Sequence, residues 1–164
     1  MSATSGLIHE ILPVGWLHCN CSILGDPETH EAIVVDPGDE VERVLEALAQ
    51  HSLRVKYIVI THAHIDHVGG LARLKEATGA LVLMHPEDHW LYQNVALQAA
   101  MIGMPAPAVT EVDQPLRPGE TLRWGKALAA EMKRRGHKVE ISGDFAPPGC
   151  LAFNLKLKCW SAVS

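Results

Sequence analysis

Four side chains able to bind a metal ion fall within six consecutive positions: His62, His64, Asp66 and His67, in Tyr57-Ile-Val-Ile-Thr-His-Ala-His-Ile-Asp-His-Val-Gly-Gly70. Residues two apart on extended backbone share a face, which would put His62, His64 and Asp66 together. A turn into a following helix would then let His67 point elsewhere. One short loop can therefore give two ligands to one metal ion and two to a neighbour. Imidazole and carboxylate donors suit zinc, and also iron or manganese. A single histidine at a strand end is ordinary surface polarity. Three histidines in six residues, with an aspartate in phase and Gly-Gly behind, point to a metal centre.

The elements that must carry this loop can be read from the flanking patterns. Leu7 to Val14, Leu17 to Leu24 and Ala32 to Val35 are short apolar runs separated by turn residues, and suggest an antiparallel meander of three strands. Val41, Val44, Leu45, Leu48 and Ala49 recur at helical spacing, with Asp39 as N-cap. Val55 to Ile60 is a β-branched run, read as a buried strand that ends where the histidines begin. A helix carrying Leu71, Leu74 and Ala77 closes at Gly79, and Ala80 to Met84 is a further buried strand. Pro86 to about Met101 reads as one helix, followed by a Pro/Ala-rich loop from Gly103 to Ala108. Alternating strands and helices give an α/β or α+β domain, where sites form at the carboxyl ends of buried strands.

Two further residues sit at such strand ends. Asp36 follows the third strand and is placed to orient the loop or one of its histidines. His85 precedes Pro86 and is a candidate for facing the substrate pocket or supporting the ligands. His9, His18, His30, His51 and His89 read as surface histidines. Cys19 and Cys21 flank Asn20 in a strand and read as small apolar residues on one face.

At 164 residues the chain suffices for one domain with a substantial core. A 48% hydrophobic and 20% charged composition argues against disorder. No apolar run has the length of a membrane span, and no basic residue precedes the first apolar stretch, so a cytoplasmic protein without membrane association is expected. The net charge of −5 is uneven, because residues 126–164 hold seven Lys/Arg against three Asp/Glu. These cations lack interleaved aromatics, so no nucleic-acid partner is expected, and the shift reads as a boundary.

Thr61-His-Ala-His-Ile-Asp-His67 followed by Gly69-Gly70 resembles the metallo-β-lactamase superfamily. Asn20-Cys21, Val34-Val-Asp-Pro-Gly38 and Met84-His-Pro-Glu-Asp88 resemble its glyoxalase II-like (hydroxyacylglutathione hydrolase-like) branch, over about residues 7–125. The resemblance implies an αββα sandwich in which His62 and His64 bind a first metal and Asp66 and His67 a second. It implies zinc, two per chain in a complete site, with iron or manganese as options. It also implies hydrolysis of a small-molecule ester or thioester by a metal-activated water, which Asp66 would help orient. The persulfide dioxygenases, which use one iron, resemble the same branch.

The resemblance also implies a second half, with a third histidine and a bridging aspartate. His137 in Gly136-His137 and Asp144 in Ser142-Gly-Asp144 are the candidates, although their spacing is short and no Thr-Pro-Gly turn follows His137. Lys126 to Gly136 reads instead as a basic helix with a glycine stop, and Lys133 to Phe145 also resembles the C-terminal region of γ-glutamyltranspeptidases. The sequence thus divides into a metallo-β-lactamase-like part, residues 1–125, and an atypical tail, residues 126–164, with the sandwich's second half incomplete. A metal-binding but catalytically inert fragment is the alternative to a hydrolase. The sequence leaves substrate and oligomeric state open.

Overall fold

The computed structural model describes residues 7–117, 120–125, 128–135 and 138–142, the last two stretches as backbone only. Strands β1 (Ile8–Val14), β2 (Cys19–Gly25) and β3 (Glu31–Val35) form the expected antiparallel meander. Helix α1 (Val41–Gln50) crosses to β4 (Arg54–Ile60), which lies parallel to β3. The metal-motif turn α2 (Ile65–Val68) and helix α3 (Leu71–Thr78) lead to β5 (Leu81–Met84), again parallel. Helices α4 (His89–Gln93) and α5 (Val95–Met101) precede the two-residue strand β6 (Gln114–Pro115), which completes a six-stranded sheet in sequential order.

The sheet is apolar on both faces, and its alternation sorts the core into two. Ile23, Val34, Ile58, Ile60, Val82 and Met84 pack with Val44 and Leu48 of α1, Leu71 and Leu74 of α3 and Val95 of α5. The alternate residues Leu24, Ile33, Val35, Val59 and Leu83 pack with Leu116, Leu122 and Trp124. A second sheet of β7 (Thr121–Trp124), β8 (Leu128–Arg135) and β9 (Lys138–Ser142) therefore meets the first on the face opposite the helices. Truncating a side chain such as Leu74, which is fully buried, would cost about 2–5 kcal/mol. No described helix is long and apolar enough to cross a membrane.

Three local readings are corrected. Residues 128–135 are a strand, not part of a helix: Leu128 to Glu131 pair with β7 and Glu131 to Arg135 with β9. Helical propensity in this Ala-rich, basic stretch is overridden by the ladder on either side. Pro86 to Met101 is broken into a 3-10 turn at Pro86–Asp88 and helices α4 and α5, which meet at the non-helical Asn94. Helix α1 has Glu40, at φ 52°, in the capping position in place of Asp39, whose Oδ1 accepts the Glu40 N–H at 2.8 Å.

Candidate metal centre

Strands β3 and β4 are parallel neighbours with Val35 opposite Val59, so Asp36 and Thr61 leave the sheet side by side at its carboxyl edge. The Asp36 carboxylate then ties the two strand ends together. Its Oδ1 accepts the Thr61 N–H at 2.8 Å, and its Oδ2 accepts the Thr61 hydroxyl at 2.5 Å and His67 Nδ1–H at 2.9 Å. Asp36 is buried and sits at φ 51°, a left-handed conformation that aspartate tolerates better than most residues.

The Asp36-Pro-Gly38 turn also fits against the backbone of the metal loop. Gly38 N–H donates to His67 O at 3.0 Å, and Gly70 N–H donates to Gly38 O. A Cβ on Gly38, which has φ +60°, would meet Val14 Cγ2 at 2.5 Å and Asp66 O at 2.9 Å. Only glycine allows this close approach, so the Asp-Pro-Gly and Gly-Gly segments form the two sides of one contact.

The histidine motif bends earlier than its extended reading suggests. His64 is extended at φ −70°, ψ 148°, and α2 begins at Ile65, so Asp66 and His67 both lie on a helical turn. The imidazoles nevertheless converge. The His62 ring lies 4.6 Å from that of His64 and 3.9 Å from that of His67, centroid to centroid. His67 Nε2 approaches Asp66 Oδ2 to 3.3 Å. His64 is exposed, His62 and Asp66 are half-buried and His67 is buried, so the cluster opens to one side.

The hydrogen-bond network assigns the tautomer of His62 and orients the His67 ring. The Thr61 hydroxyl donates to Asp36, so at its 3.0 Å contact with His62 it accepts a hydrogen bond from Nδ1–H. His67 likewise commits its Nδ1–H to Asp36. The His62 ring is left with a lone pair on Nε2, whereas His67 Nε2 faces the Asp66 carboxylate, so each His67 ring nitrogen has a carboxylate partner. Burial first, and then the neighbouring His67, push His62 down to about 4 against the opposing Asp36 charge, so its ring is neutral at pH 7. Burial alone would raise the Asp66 carboxyl, but the hydrogen bond and charge of His67 hold it below the usual carboxylate range.

These donors suit a metal ion. His67 Nε2 and Asp66 Oδ2 lie 3.3 Å apart, and a metal ion could take the place of the proton between them. Donors sharing a tetrahedral zinc, at its usual bond lengths, stand about 3.4 Å apart. Cys19, Asp66 and His67 each bring one ligand atom to within 4.8 Å of the others.

Three participants escape the sequence reading. Cys19, read there as a strand filler, places its sulfur 3.5 Å from His67 Nδ1. Burial raises its thiol, against the opposing His67 hydrogen bond. Gln98 on α5 reaches both backbone groups flanking His64: its Oε1 accepts Ile65 N–H at 3.0 Å and its Nε2 donates to Ala63 O at 3.0 Å. Asp88 accepts the Ala63 N–H at 3.3 Å. The Cys19 alternation could be seen in the sequence, but nothing local marks Gln98, which lies 33 positions from Ile65. His85 makes a local contact, its Nδ1 accepting the Glu87 N–H at 3.2 Å to cap the 3-10 turn. His137 and Asp144 lie outside the described residues.

The model of the metallo-beta-lactamase superfamily matches residues 14–143, and the chain belongs to that superfamily. The match runs past Trp124, to the residue after β9. An uncharacterized protein of Aquifex aeolicus is 37% identical over 134 residues, covering 80% of this chain and 61% of that protein. The hydroxyacylglutathione hydrolase GloC of Haemophilus influenzae is 36% identical over 97 residues, covering 58% of this chain and 45% of the hydrolase. The chain thus spans about half the length of the curated relatives it matches. Among solved structures, TTHA1623 in a di-iron-bound form is 31% identical with a TM-score of 0.69, over 80% of this chain and 65% of that one.

Proposed function

We propose that this chain is a metal-dependent hydrolase of esters or thioesters, with His62, His64, Asp66 and His67 as its described metal ligands. The observation that carries the reading is the packing of the His64 and His67 rings around His62, with Asp66 Oδ2 3.3 Å from His67 Nε2 and the loop held by the Asp36–Thr61 network. His137 and Asp144 are proposed as further ligands on the family resemblance alone. When bound, a divalent metal ion supplies a water of near-neutral pKa and polarises a carbonyl.

The protein's own residues divide the remaining work. Asp36 accepts from His67 Nδ1–H and so orients its ring, and through Thr61 it fixes the tautomer of His62. Gln98 and Asp88 hold the backbone on both sides of His64. The ionised Asp66 accepts and orients a water proton. In the net reaction the water oxygen joins the acyl carbon, the C–S or C–O bond breaks, and the thiol or alcohol leaves with a proton. The likeness to the Haemophilus hydrolase supports a thioester substrate, and zinc is proposed as the metal. Cys19 and Cys21 are buried free thiols, which suits the reducing cytoplasm.

The test is hydrolysis of a lactoylglutathione-type thioester with added zinc, by the chain and by His64→Ala. Zinc-dependent release of thiol that disappears in the variant is expected. Equal rates in both would remove the assignment, and a zinc-loaded chain without turnover would favour an inert metal-binding fragment. Iron is the second reading, supported by the di-iron form of TTHA1623. Oxygen consumption with a persulfide substrate, in place of thioester cleavage, would establish it.

A further inference from the structure

A cavity of about 250 Å³ opens beside Asp66, and most of its wall is apolar. One side is the β1–β2 hairpin tip, where Trp16 and Leu17 stand 72% and 52% exposed. The Met104–Pro107 segment of the Pro/Ala-rich loop, Ile65 and Asp66 of α2, and Asp39 also line it. Isolated exposed apolar residues need no explanation, but a tryptophan, a leucine and a methionine lining one cavity with a candidate ligand do.

Both walls are anchored. Gly15 N–H donates to Glu40 Oε2 at 2.7 Å, Arg43 Nη1 donates to Pro13 O at 2.8 Å, and His18 N–H donates to Gly15 O at 3.1 Å. These bonds hold the hairpin base against α1 and leave the Trp16 ring at the tip. In the Pro/Ala-rich loop, Met104 N–H donates to Ala99 O at 2.9 Å, and Thr110 N–H donates to the hydroxyl of the buried Tyr92 at 2.9 Å. Pro105 and Pro107 further restrict the loop backbone. The two walls are therefore largely pre-formed, which lowers the ordering cost of binding.

We propose that this cavity is an acyl-binding subsite for an uncharged, apolar group on the scale of phenylacetyl, seated against Trp16 with its reacting acyl carbon toward the proposed metal ligands. The inference builds on the hydrolase reading and narrows it. A small hydroxyacyl group would leave the Trp16 face unfilled, whereas an aromatic ring would cover it. An apolar cavity of about 150 Å³ accepts benzene, so the volume here is sufficient for a phenylacetyl group.

The test begins with binding, independently of turnover. The probes are N-methylphenylacetamide and N-methylacetamide, titrated by saturation-transfer NMR against the full zinc-supplemented chain. The phenyl probe should bind at least about tenfold more tightly, and Trp16→Ala should weaken it by about tenfold, the upper range for an aromatic pair. Trp16→Phe should retain most of the affinity, and Trp90→Ala, which alters an exposed tryptophan on α4, should retain all of it. Equal binding of the two probes, or an unchanged affinity in Trp16→Ala, would overturn the proposal. The same variants are then assayed with S-phenylacetyl and S-lactoyl thioesters of N-acetylcysteamine. A lower KM for the phenylacetyl compound, raised in Trp16→Ala, is expected. Hydrolysis without acyl preference would defeat the subsite alone. Trp16-dependent binding without any hydrolysis would defeat the hydrolase reading and leave the subsite standing.

Discussion

Asp36→Asn separates the charge of the strand-end carboxylate from its shape. Asn also tolerates the left-handed backbone at φ 51°, so little new strain enters. The amide oxygen can still accept the Thr61 N–H, but the amide nitrogen then replaces the acceptor that served the Thr61 hydroxyl and His67 Nδ1–H. Two charge-assisted hydrogen bonds at a buried group, each worth about 1.5–3 kcal/mol, become at best neutral ones of about 0.5–1.5 kcal/mol. The expected loss of stability is therefore about 2–3 kcal/mol. The tautomers should also change. His67 Nδ1 must now accept, which moves its proton to Nε2, facing Asp66 Oδ2 3.3 Å away. A His67 no longer held at Nδ1 by a carboxylate should bind zinc about 10–100-fold more weakly, the usual range for loss of a residue supporting a ligand. Urea denaturation reads the first effect, and competition with a chromophoric chelator the second. Nitrogen-15 NMR of the imidazoles reads the tautomer directly. Zinc affinity within threefold of the parent, or a His67 ring still protonated on Nδ1, would refute the tautomer argument.

Three further outcomes are expected. Gln98→Ala removes the partners of Ile65 N–H and Ala63 O, so chemical denaturation should show a loss of about 2–3 kcal/mol. Gln98→Glu, which can accept but not donate, should recover only part of it. His64→Ala should abolish tight zinc binding while His89→Ala leaves it nearly unchanged, and equal metal content in the two would remove the ligand assignment. Burial would raise the Asp113 carboxyl, but the Lys75 hydrogen bond, the Val82 N–H and the Lys75 charge hold it below its ordinary value. Its stabilising contribution is present above the unfolded pKa and lost as pH falls through the lower folded one. Thermal melts should therefore show a smaller loss of stability below pH 4 in Asp113→Asn than in the parent, and parallel curves would contradict the pairing.

The parts of the fold that were legible in the sequence are those where one pattern dominates. The apolar runs of β2 to β5 are largely buried, as are Val41, Val44, Leu48, Leu71 and Leu74 at the helical spacing of α1 and α3, whereas Ala49 and Ala77, read on the same faces, are exposed. Asp36 was readable as a partner of the motif because a strand-ending Asp-Pro-Gly must leave the sheet at the same edge as a parallel neighbour's loop. β8 was misread because Ala129, Ala130 and the cations favour a helix locally, and only its two pairing partners make it a strand. The bend at Ile65 put Asp66 on a helical turn, which a period-two reading cannot foresee. Gln98 and the Trp16 cavity depend on contacts between segments far apart in the chain, about which local sequence is silent.

The central claim is that the His62–His67 loop holds catalytic metal. The most direct test is the metal inventory of the zinc-reconstituted, gel-filtered chain by inductively coupled plasma mass spectrometry, alongside a His62→Ala/His64→Ala double variant. The account predicts zinc approaching about two ions per chain, as in two-metal hydrolytic sites, and its collapse in the double variant. Metal far below one ion per chain, or the same content in both proteins, would contradict it.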